Sequence, residues 1–323
     1  MRLARIVVCL AALAALPLPA HAQDKYPSRL ITIIAPISPG TAIDILARIY
    51  ADRLSNKLGW QVVVEDRPGA AGAVAGEFVS RAAADGYTLI CANSGLTFLK
   101  YTNKALKFDP LTSFSGVAII GEAPAVVTVS PQLGVDNLKA FIDLAKSKPG
   151  TLNYASAGVG SATHLAGAYF AQQTGINIVH VPYTDSTAIL SDLLSGRMEA
   201  SFVPAAFVAP LLKEGKLRAL AVAADQPLTE PVKIPTAISQ GVDYRFATWY
   251  GLLAPAHTPK PVLSALYEAI SSVSKDPELI ARVNGLGLVS RVEGPDAFDT
   301  TIHRQITDLA PVLTGIANDA SRH

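Results

Sequence analysis

The sequence predicts an α/β fold of two lobes joined by a hinge, and three observations support this prediction. Short apolar strands alternate with helical segments along most of the chain, as in parallel sheets that helices cover. The chain has 323 residues, 50% of them hydrophobic, which is enough for two domains with separate cores. From Pro259 onward the pattern predicts two or three helices that return to the first lobe, so we expect that lobe to be discontinuous.

The N-terminal segment, residues 1–22, has the three parts of a secretory signal peptide. Two arginines precede an apolar run at residues 6–16, and a small-x-small triplet at residues 20–22 predicts cleavage before Gln23. The run is too short for a permanent membrane anchor, and Cys9 lies inside it, not at a position where a lipid could be attached. We therefore expect a soluble, exported mature protein.

Charge and cysteine content exclude several classes of function. Loss of the two leader arginines would leave 25 basic against 26 acidic residues, a formal charge of −1, so there is no basic surplus for nucleic acid or anionic lipid. Cys91 would be the one remaining cysteine, so no internal disulfide can form. Because it lies in an apolar strand, we expect its thiol to be buried and inert.

The first lobe begins with a strand, a loop of small residues and a helix. Residues 30–35 form a continuous apolar run typical of a strand buried on both faces, and the loop at residues 36–44 leads into a helix that Gly59 ends. The simplest interpretation of Asp44 is a first-turn carboxylate that complements the helix dipole. Ligands of open α/β sheets bind at such strand ends, so this loop is a candidate site.

Two more strands are predicted in the first lobe, at residues 62–65 and 87–92, with a helix at residues 73–83 between them. The second of these strands ends at Ser94, a further polar strand end. Arg67 follows the other strand in a Pro-Gly turn, where contact with the loop or a neighbouring carboxylate is favoured over ligand binding.

The segment at residues 152–170 carries the strongest signal for a ligand site. A short buried strand, a tight loop at residues 156–160 and a helix that contains His164 follow one another. This arrangement leaves backbone N–H groups of the first helical turn unpaired, with the positive end of the dipole behind them, and so favours an anion. The alternative is a plain tight connection in which Ser161 is an N-cap and His164 packs in the first turn.

The rest of the chain is assigned from the same signals. We expect strands at residues 114–120 and 125–129, with the first crossing between lobes at residues 121–126 and a return at residues 246–254. The remaining predicted strands and helices of the second lobe are at residues 135–147, 178–183, 186–194, 200–203, 206–212 and 217–223. The expected domains are residues 23–124 with 250–323 for lobe 1, and 125–249 for lobe 2.

Several blocks of this sequence resemble the Bug family, the extracytoplasmic solute-binding proteins of tripartite tricarboxylate transporters. The resemblance covers essentially all of the expected mature chain. The blocks are residues 26–29, 36–44, 65–72, 85–89, 148–157, 158–167, 181–183 and 249–255. Two details differ: Thr41 follows Gly40 where the family usually has a second glycine, and Asp66 stands where it usually has asparagine.

The resemblance implies a two-lobed periplasmic-binding-protein fold, type II-like, which closes as a Venus flytrap on a small carboxylate. It further implies that backbone amides of the two strand-end loops hold the ligand. Carried over, the substrate-binding positions are Ile37, Ser38, Gly40, Thr41, Ser156, Gly160 and Ser161, with Ser94, Pro204 and Ala205 at the edges. His164 matches a histidine of the family, and a role in bracing the loop is favoured over contact with ligand.

These observations predict a periplasmic carboxylate-binding protein that delivers its ligand to the permease subunits of a tripartite tricarboxylate transporter. We expect a monomer with no catalytic residue, no cofactor, no metal and no nucleic-acid partner. Two alternatives are a sensing module for a signalling partner and a secreted serine hydrolase that uses Ser161, His164 and Asp185 or Asp192. Against the hydrolase, its serine and histidine lie three residues apart at one helix start, so no separate element orients the base.

Overall fold

The computed structural model of the protein describes residues 26–183, 186–229 and 232–319. Within these ranges the strands belong to one sheet. They are β1 (Ile31–Ala35), β2 (Val62–Asp66), β3 (Thr88–Asn93), β4 (Phe114–Val129), β5 (Asn153–Ser156), β6 (Val179–Pro182), β7 (Ala200–Pro204), β8 (Arg218–Val222) and β9 (Ala247–Pro255). The signal peptide, the expected cleavage before Gln23 and Asp185 of the hydrolase alternative lie outside the described residues.

The helices alternate with these strands and cover the sheet. They are α1 (Ala42–Leu58), α2 (Ala73–Ser80), α3 (Gly95–Thr102), α4 (Leu138–Ser147), α5 (Ala162–Thr174), α6 (Ser186–Ser195), α7 (Ala205–Lys213), α8 (Lys260–Val273), α9 (Pro277–Gly285) and α10 (Pro295–Asp319). None of the helices in the described ranges combines the length and the apolar character needed to span a membrane.

The sheet consists of a parallel part in each lobe, connected by antiparallel strands. Its order is β2-β1-β3-β9-β4-β7-β5-β6, and β8 pairs with the other side of β4. In the first lobe β1 runs parallel to both β2 and β3, and in the second lobe β5 runs parallel to both β6 and β7. The two parallel parts confirm the repeated strand–helix units that the sequence predicts.

Strand β4 joins the two halves of the sheet. It is 16 residues long, and its first part pairs with β9 as far as Pro124 opposite Ala247. From Ala125 onward it pairs instead with β7 and β8. The sequence pattern predicts two separate strands here, at residues 114–120 and 125–129, and this was wrong. The strand continues because β7 and β8 take over the pairing where the pairing with β9 ends, and this keeps the backbone extended.

Separate hydrophobic cores support the two lobes. Apolar residues of β1, β3, β9, α1 and α8 form one cluster, which includes Leu46 and Leu252. The other cluster contains several aromatic side chains, among them Phe141 of α4, Phe170 of α5 and Phe202 of β7, all buried. Cys91 is a free thiol and the described residues contain no disulfide, so burial of apolar surface, worth about 25 cal/mol per Å², makes such clusters their main stabilising contribution.

The three C-terminal helices return to the first lobe, as predicted, but α10 also contacts the second. Phe298 near its start packs with Trp249 in a first-lobe cluster. Leu309 and Leu313, further along, are buried in the second-lobe core. The last helix therefore ties the two cores together, which local sequence periodicity does not reveal.

Candidate functional site

The strand ends that carry the predicted site residues converge near the middle of β4. Asn93 at the end of β3 is opposite Tyr250 of β9, which is itself opposite Gly121 of β4. Pro204 at the end of β7 is opposite Ala125 of β4. Gly121 and Ala125 are four residues apart on β4, which is only about 13 Å in an extended chain. The ends of β3 and β7 point toward each other along β4. The carboxyl ends of both parallel sheet parts thus face a common region.

In the first lobe, the β1–α1 loop (residues 36–41) is held by contacts of its own. Gly40 has a positive φ of 85°, and its backbone N–H donates to Oδ2 of Asp44 at 2.8 Å. The hydroxyl of Thr41 donates to the carbonyl of Ser38 at 3.0 Å. Two groups that the resemblance assigns to the ligand are therefore engaged inside the loop, while no partner is found within the described chain for the backbone N–H groups of Ile37 and Ser38.

In the second lobe, the β5–α5 loop (residues 157–161) is also braced from within. Ser161 accepts a hydrogen bond from the backbone N–H of His164 at 3.2 Å, which confirms the N-cap interpretation. Nδ1 of His164 accepts from the backbone N–H of Gly160 at 3.0 Å. Among the described residues, the N–H groups of Ala162 and Thr163 have no partner. These two donors at the positive end of α5 are available to an anion.

Ser156 and His180 fix the other end of this loop. Ser156 is fully buried, its Oγ lies 2.6 Å from Nε2 of His180, and it accepts from the backbone N–H of Gly158 at 3.1 Å. The sequence pattern places His180 only in a predicted strand. Its proximity to the loop follows from the parallel pairing of β5 and β6, which brings Tyr154 opposite His180.

The imidazole rings of His164 and His180 are stacked, with centroids 3.7 Å apart and planes inclined by 10°. Burial, and to a smaller extent the neighbouring His180, lower the pKa of His164 to about 4. Burial likewise lowers the pKa of His180. Both rings are consequently neutral at pH 7, and the site presents no histidine cation to an anionic ligand.

Ser94, Pro204 and Ala205 lie at the remaining strand ends. Ser94 is fully buried, and its hydroxyl has no hydrogen-bond partner among the described residues. Pro204 ends β7 and Ala205 begins α7, which has no side-chain cap. Ser94 thus offers an unsatisfied polar group beside Trp249, whose carbonyl accepts the backbone N–H of Ser94 at 3.2 Å.

Two close contacts join the lobes around this region. A Cβ at Gly160 would lie 2.7 Å from Cγ2 of Thr102, the last residue of α3. A Cβ at Gly287 would lie 1.9 Å from Cβ of Ala206 in the first turn of α7. Both glycines have positive φ, 77° and 78°. The sequence does not indicate Thr102 or Gly287 as neighbours of the site, because each meets a residue far away along the chain.

The side chains of the hydrolase alternative are not arranged as a nucleophile and base. Ser161 Oγ contacts the backbone of His164, and the histidine ring is directed to Gly160, so serine and imidazole share no hydrogen bond. Asp192 accepts from the hydroxyl of Tyr183 at 2.5 Å and is ion-paired with an arginine. A base that does not contact the hydroxyl cannot take its proton.

A cavity of about 820 Å³ lies elsewhere, between α10, β4 and residues 223–228, and none of the predicted site residues lines it. Two of its three arginines are already neutralised: Arg291 pairs with Glu122, and Arg245 with Asp225. The loops remain the better candidate for an anion site. In the part of the chain that the structure describes, no three His, Cys, Asp or Glu side chains could hold a metal ion.

Two α/β lobes around a shared strand are the architecture of periplasmic solute-binding proteins. A TctC solute-binding protein from Polaromonas, crystallised without ligand, matches with a TM-score of 0.81 at 27% identity, over 91% of this chain and 99% of that chain. The family model for the tripartite tricarboxylate transporter family receptor matches residues 46–294, and the chain belongs to this family.

Individual relatives agree with this assignment. Protein BugT of Bordetella pertussis is 30% identical over 319 residues, 97% of this chain and 96% of BugT. The structure of Rpa4515 from R. palustris with adipate matches with a TM-score of 0.70 at 28% identity, over 91% of this chain and 98% of that chain. The two-lobed α/β fold and the membership in the Bug family that the sequence predicts are thereby confirmed.

Proposed function

We propose that the protein is a non-catalytic periplasmic receptor, which binds a small carboxylate between its lobes and delivers it to the permease subunits of a tripartite tricarboxylate transporter. The observation that carries this proposal is the pair of N–H groups at the start of α5, of Ala162 and Thr163, for which the described residues provide no hydrogen-bond partner. Family membership and the adipate seen in a relative support the same class of ligand.

The proposed ligand site combines the strand-end loops of both lobes. On this proposal, backbone N–H groups and hydroxyls stabilise the negative charge of the carboxylate, since neither the β1–α1 loop nor the β5–α5 loop contains Arg or Lys. Its residues are Ile37, Ser38, Gly40, Thr41, Ser94, Ser156, Gly160, Ser161, His164, Pro204 and Ala205. Within this set His164 and Ser161 shape the loop, and their internal hydrogen bonds support that role.

Binding is coupled to closure of the lobes. A carboxylate that contacts residues of both lobes stabilises the closed arrangement over the open one by those contacts. We propose the domain bounds of residues 23–124 with 250–323 and of residues 125–249, with β4 and β9 as the hinge. The change of pairing partner between Pro124 and Ala125 supports a boundary at this position.

The proposed location is the periplasm, where the mature chain begins at Gln23 and acts as a monomer. Mass spectrometry of the exported protein tests the cleavage position, and a soluble product that retains Met1 would contradict it. Size-exclusion chromatography with light scattering tests the monomer.

Thermal-shift measurements test the function. Adipate, succinate and benzoate are compared with adipamide, succinamide and benzamide, because only the acids carry the charge that the helix ends favour. An acid at 100 times its dissociation constant stabilises the folded protein by about 2.7 kcal/mol. Equal shifts from acids and amides would contradict an anion site, and hydrolysis of an aryl ester that Ser161→Ala abolishes would contradict a receptor.

A further inference from the structure

The stacked histidines connect the two ends of the β5–α5 loop. His180 comes from β6 and contacts Ser156, the last residue of β5 before the loop, at 2.6 Å. His164 comes from the first turn of α5 and contacts Gly160 near its end, at 3.0 Å. The 3.7 Å between the ring centroids is direct van der Waals contact. A displacement of either ring therefore moves a residue of the loop.

The hydrogen bond to Gly160 requires a particular proton position. Nδ1 of His164 accepts the backbone N–H of Gly160 with its lone pair and therefore carries no proton. The proton of the neutral ring is on Nε2. A second proton would occupy Nδ1 and convert this acceptor into a donor that faces another donor. Protonation of His164 must therefore release Gly160.

The contact between His180 and Ser156 also depends on charge state. The Ser156 hydroxyl has one proton, and it can be directed to Nε2 of a neutral His180 or to the carbonyl of Gly158, 3.2 Å away. A protonated His180 would donate to Ser156 and force its hydroxyl toward Gly158. Two imidazolium rings stacked at 3.7 Å would in addition repel each other.

The surroundings favour the neutral pair. Tyr154 of β5 packs against both rings, and burial raises the pKa of its phenol, so it carries no charge. Asp192 of α6 is engaged by a tyrosine and an arginine, and Glu199, just before β7, accepts from the backbone of β5. Within the described residues, neither carboxylate hydrogen-bonds to a histidine ring that it could keep charged.

We propose that His180 is a positioning residue of the carboxylate site, which acts through its contact with Ser156 and its stack on His164 and holds the β5–α5 loop in its binding shape only while both rings are neutral. This inference rests on the proposed function. The N–H groups of Ala162 and Thr163, which have no partner in the described ranges of the chain, follow directly after this loop, so its shape sets where they point. Acidification then weakens binding by withdrawing the brace of the loop, separately from any titration of the ligand.

Nuclear magnetic resonance of the ligand-free, full mature chain tests the brace. The amide resonance of Gly160 should shift with a midpoint near pH 4, together with the ring protons of His164. In His164→Asn the side-chain oxygen can replace Nδ1 as acceptor but does not titrate, so the Gly160 step should disappear. His303→Gln, at an exposed position of α10, is the control and should keep it. A Gly160 step that persists in His164→Asn would overturn the proposal.

Affinity measurements test the role of His180. The probe is whichever of adipate, succinate and benzoate gives the largest thermal shift. His180→Ala should weaken binding about tenfold at pH 7.5, the loss of about one hydrogen bond, and His180→Gln, which can still contact Ser156, should restore it. Equal weakening in both variants would overturn the positioning role.

Acidification separates the brace from ligand titration. At pH 4 half of the wild-type molecules have a charged His164. The ratio of the wild-type affinity to the affinity of His164→Asn should therefore be about twofold lower at pH 4 than at pH 7.5. Protonation of the acid affects both proteins equally and cancels in the ratio. An unchanged ratio would count against the brace. If no acid binds, the proposed function is contradicted, and the resonance of Gly160 still decides the brace.

Discussion

The carboxylate of Asp44 accepts the backbone N–H of Gly40 at 2.8 Å, so the first turn of α1 holds the loop that precedes it. Asp44 is almost fully buried, and its other oxygen lies 2.7 Å from Nε of Arg48 one turn later. A negative charge thus already occupies the positive end of α1. The corresponding end of α5 has no acidic residue in its first turn, which makes it the better place for a carboxylate from solution.

Replacement of Asp44 by alanine should destabilise the protein by about 1–3 kcal/mol, because Gly40 and Arg48 lose a buried partner. Asp44→Asn keeps an oxygen for Gly40 and should cost less. Urea unfolding at pH 7 measures both. The control is Asp52→Ala on the same helix, where the exposed carboxylate accepts a hydrogen bond from the side chain of Asn56 at 2.7 Å. Equal losses for Asp44→Ala and Asp52→Ala would refute the bracing role.

Gly160→Ala should lower both stability and carboxylate affinity, since the new methyl group would press on Thr102 of the other lobe. Gly158→Ala is the matched control: its φ of 111° is also positive, but its nearest neighbour would be 3.9 Å away. Backbone strain of about 1–2 kcal/mol is common to both variants. Thr102→Ser removes the opposing methyl group, so its addition should restore part of the loss in Gly160→Ala and none of the loss in Gly158→Ala. Calorimetry of the two glycine variants, each with and without Thr102→Ser, checks this. A lack of rescue would argue against contact between the lobes.

Substitutions at Ser161 separate capping from anion binding. Ser161→Ala should cost about 1 kcal/mol of stability, the usual value for an N-cap. Ser161→Asn and Ser161→Asp both retain a cap, so both should fold with near wild-type stability. Only aspartate places a negative charge beside the N–H groups of Ala162 and Thr163, so it should abolish carboxylate binding while asparagine preserves it. Similar affinities for these two variants would remove α5 from the site.

The thiol of Cys91 should not react with Ellman's reagent in the folded protein at pH 8. It is completely buried in β3, and burial raises its pKa to about 12, so hardly any thiolate exists. The expected burial is confirmed. One equivalent per chain that begins at Gln23 should react after unfolding in guanidinium chloride, and rapid labelling without denaturant would show that β3 opens locally.

The stability of the protein should fall as the pH decreases from about 6.5 to about 4. The pKa of His164 is near 4 in the folded protein and about 6.5 in an unfolded chain, so the unfolded state binds more protons in this window. The contribution to the free energy of unfolding is fully present above 6.5, and its slope is at most about 1.4 kcal/mol per pH unit. Urea unfolding of the wild type and of His164→Asn at several pH values should show a flatter profile for the variant.

Local signals in the sequence predict much of the fold. Apolar runs mark the strands, and glycine marks the helix ends, as at Gly59, where α1 stops in a left-handed C-cap. The pattern does not predict α3, because Gly95–Thr102 follows a polar strand end and its first residue is a poor helix former. It likewise divides β4, since Gly121 and Pro124 suggest a break where tertiary pairing keeps the strand extended.

The candidate site is less accessible to sequence reasoning, because its contacts join distant segments. The strand-end loops can be found from glycine and serine content, and Ser161 from its place before α5. The roles of His180, Thr102 and Gly287 depend on which strands pair and which helix ends meet. Local sequence signals do not show which strands pair or which helix ends meet, so they do not reveal these contacts.

The change of partner along β4 has a consequence for the native-state fluctuations of the protein. Backbone amides on both sides of Ala125 belong to one strand. Neither lobe can therefore break its hydrogen bonds to β4 without disturbing the strand pairing of the other lobe. Amide protons of β4 should accordingly exchange with deuterium at one rate set by global unfolding, while those of the edge strand β2 exchange sooner. The proposed closure of the lobes would then have to proceed by a twist of this intact strand.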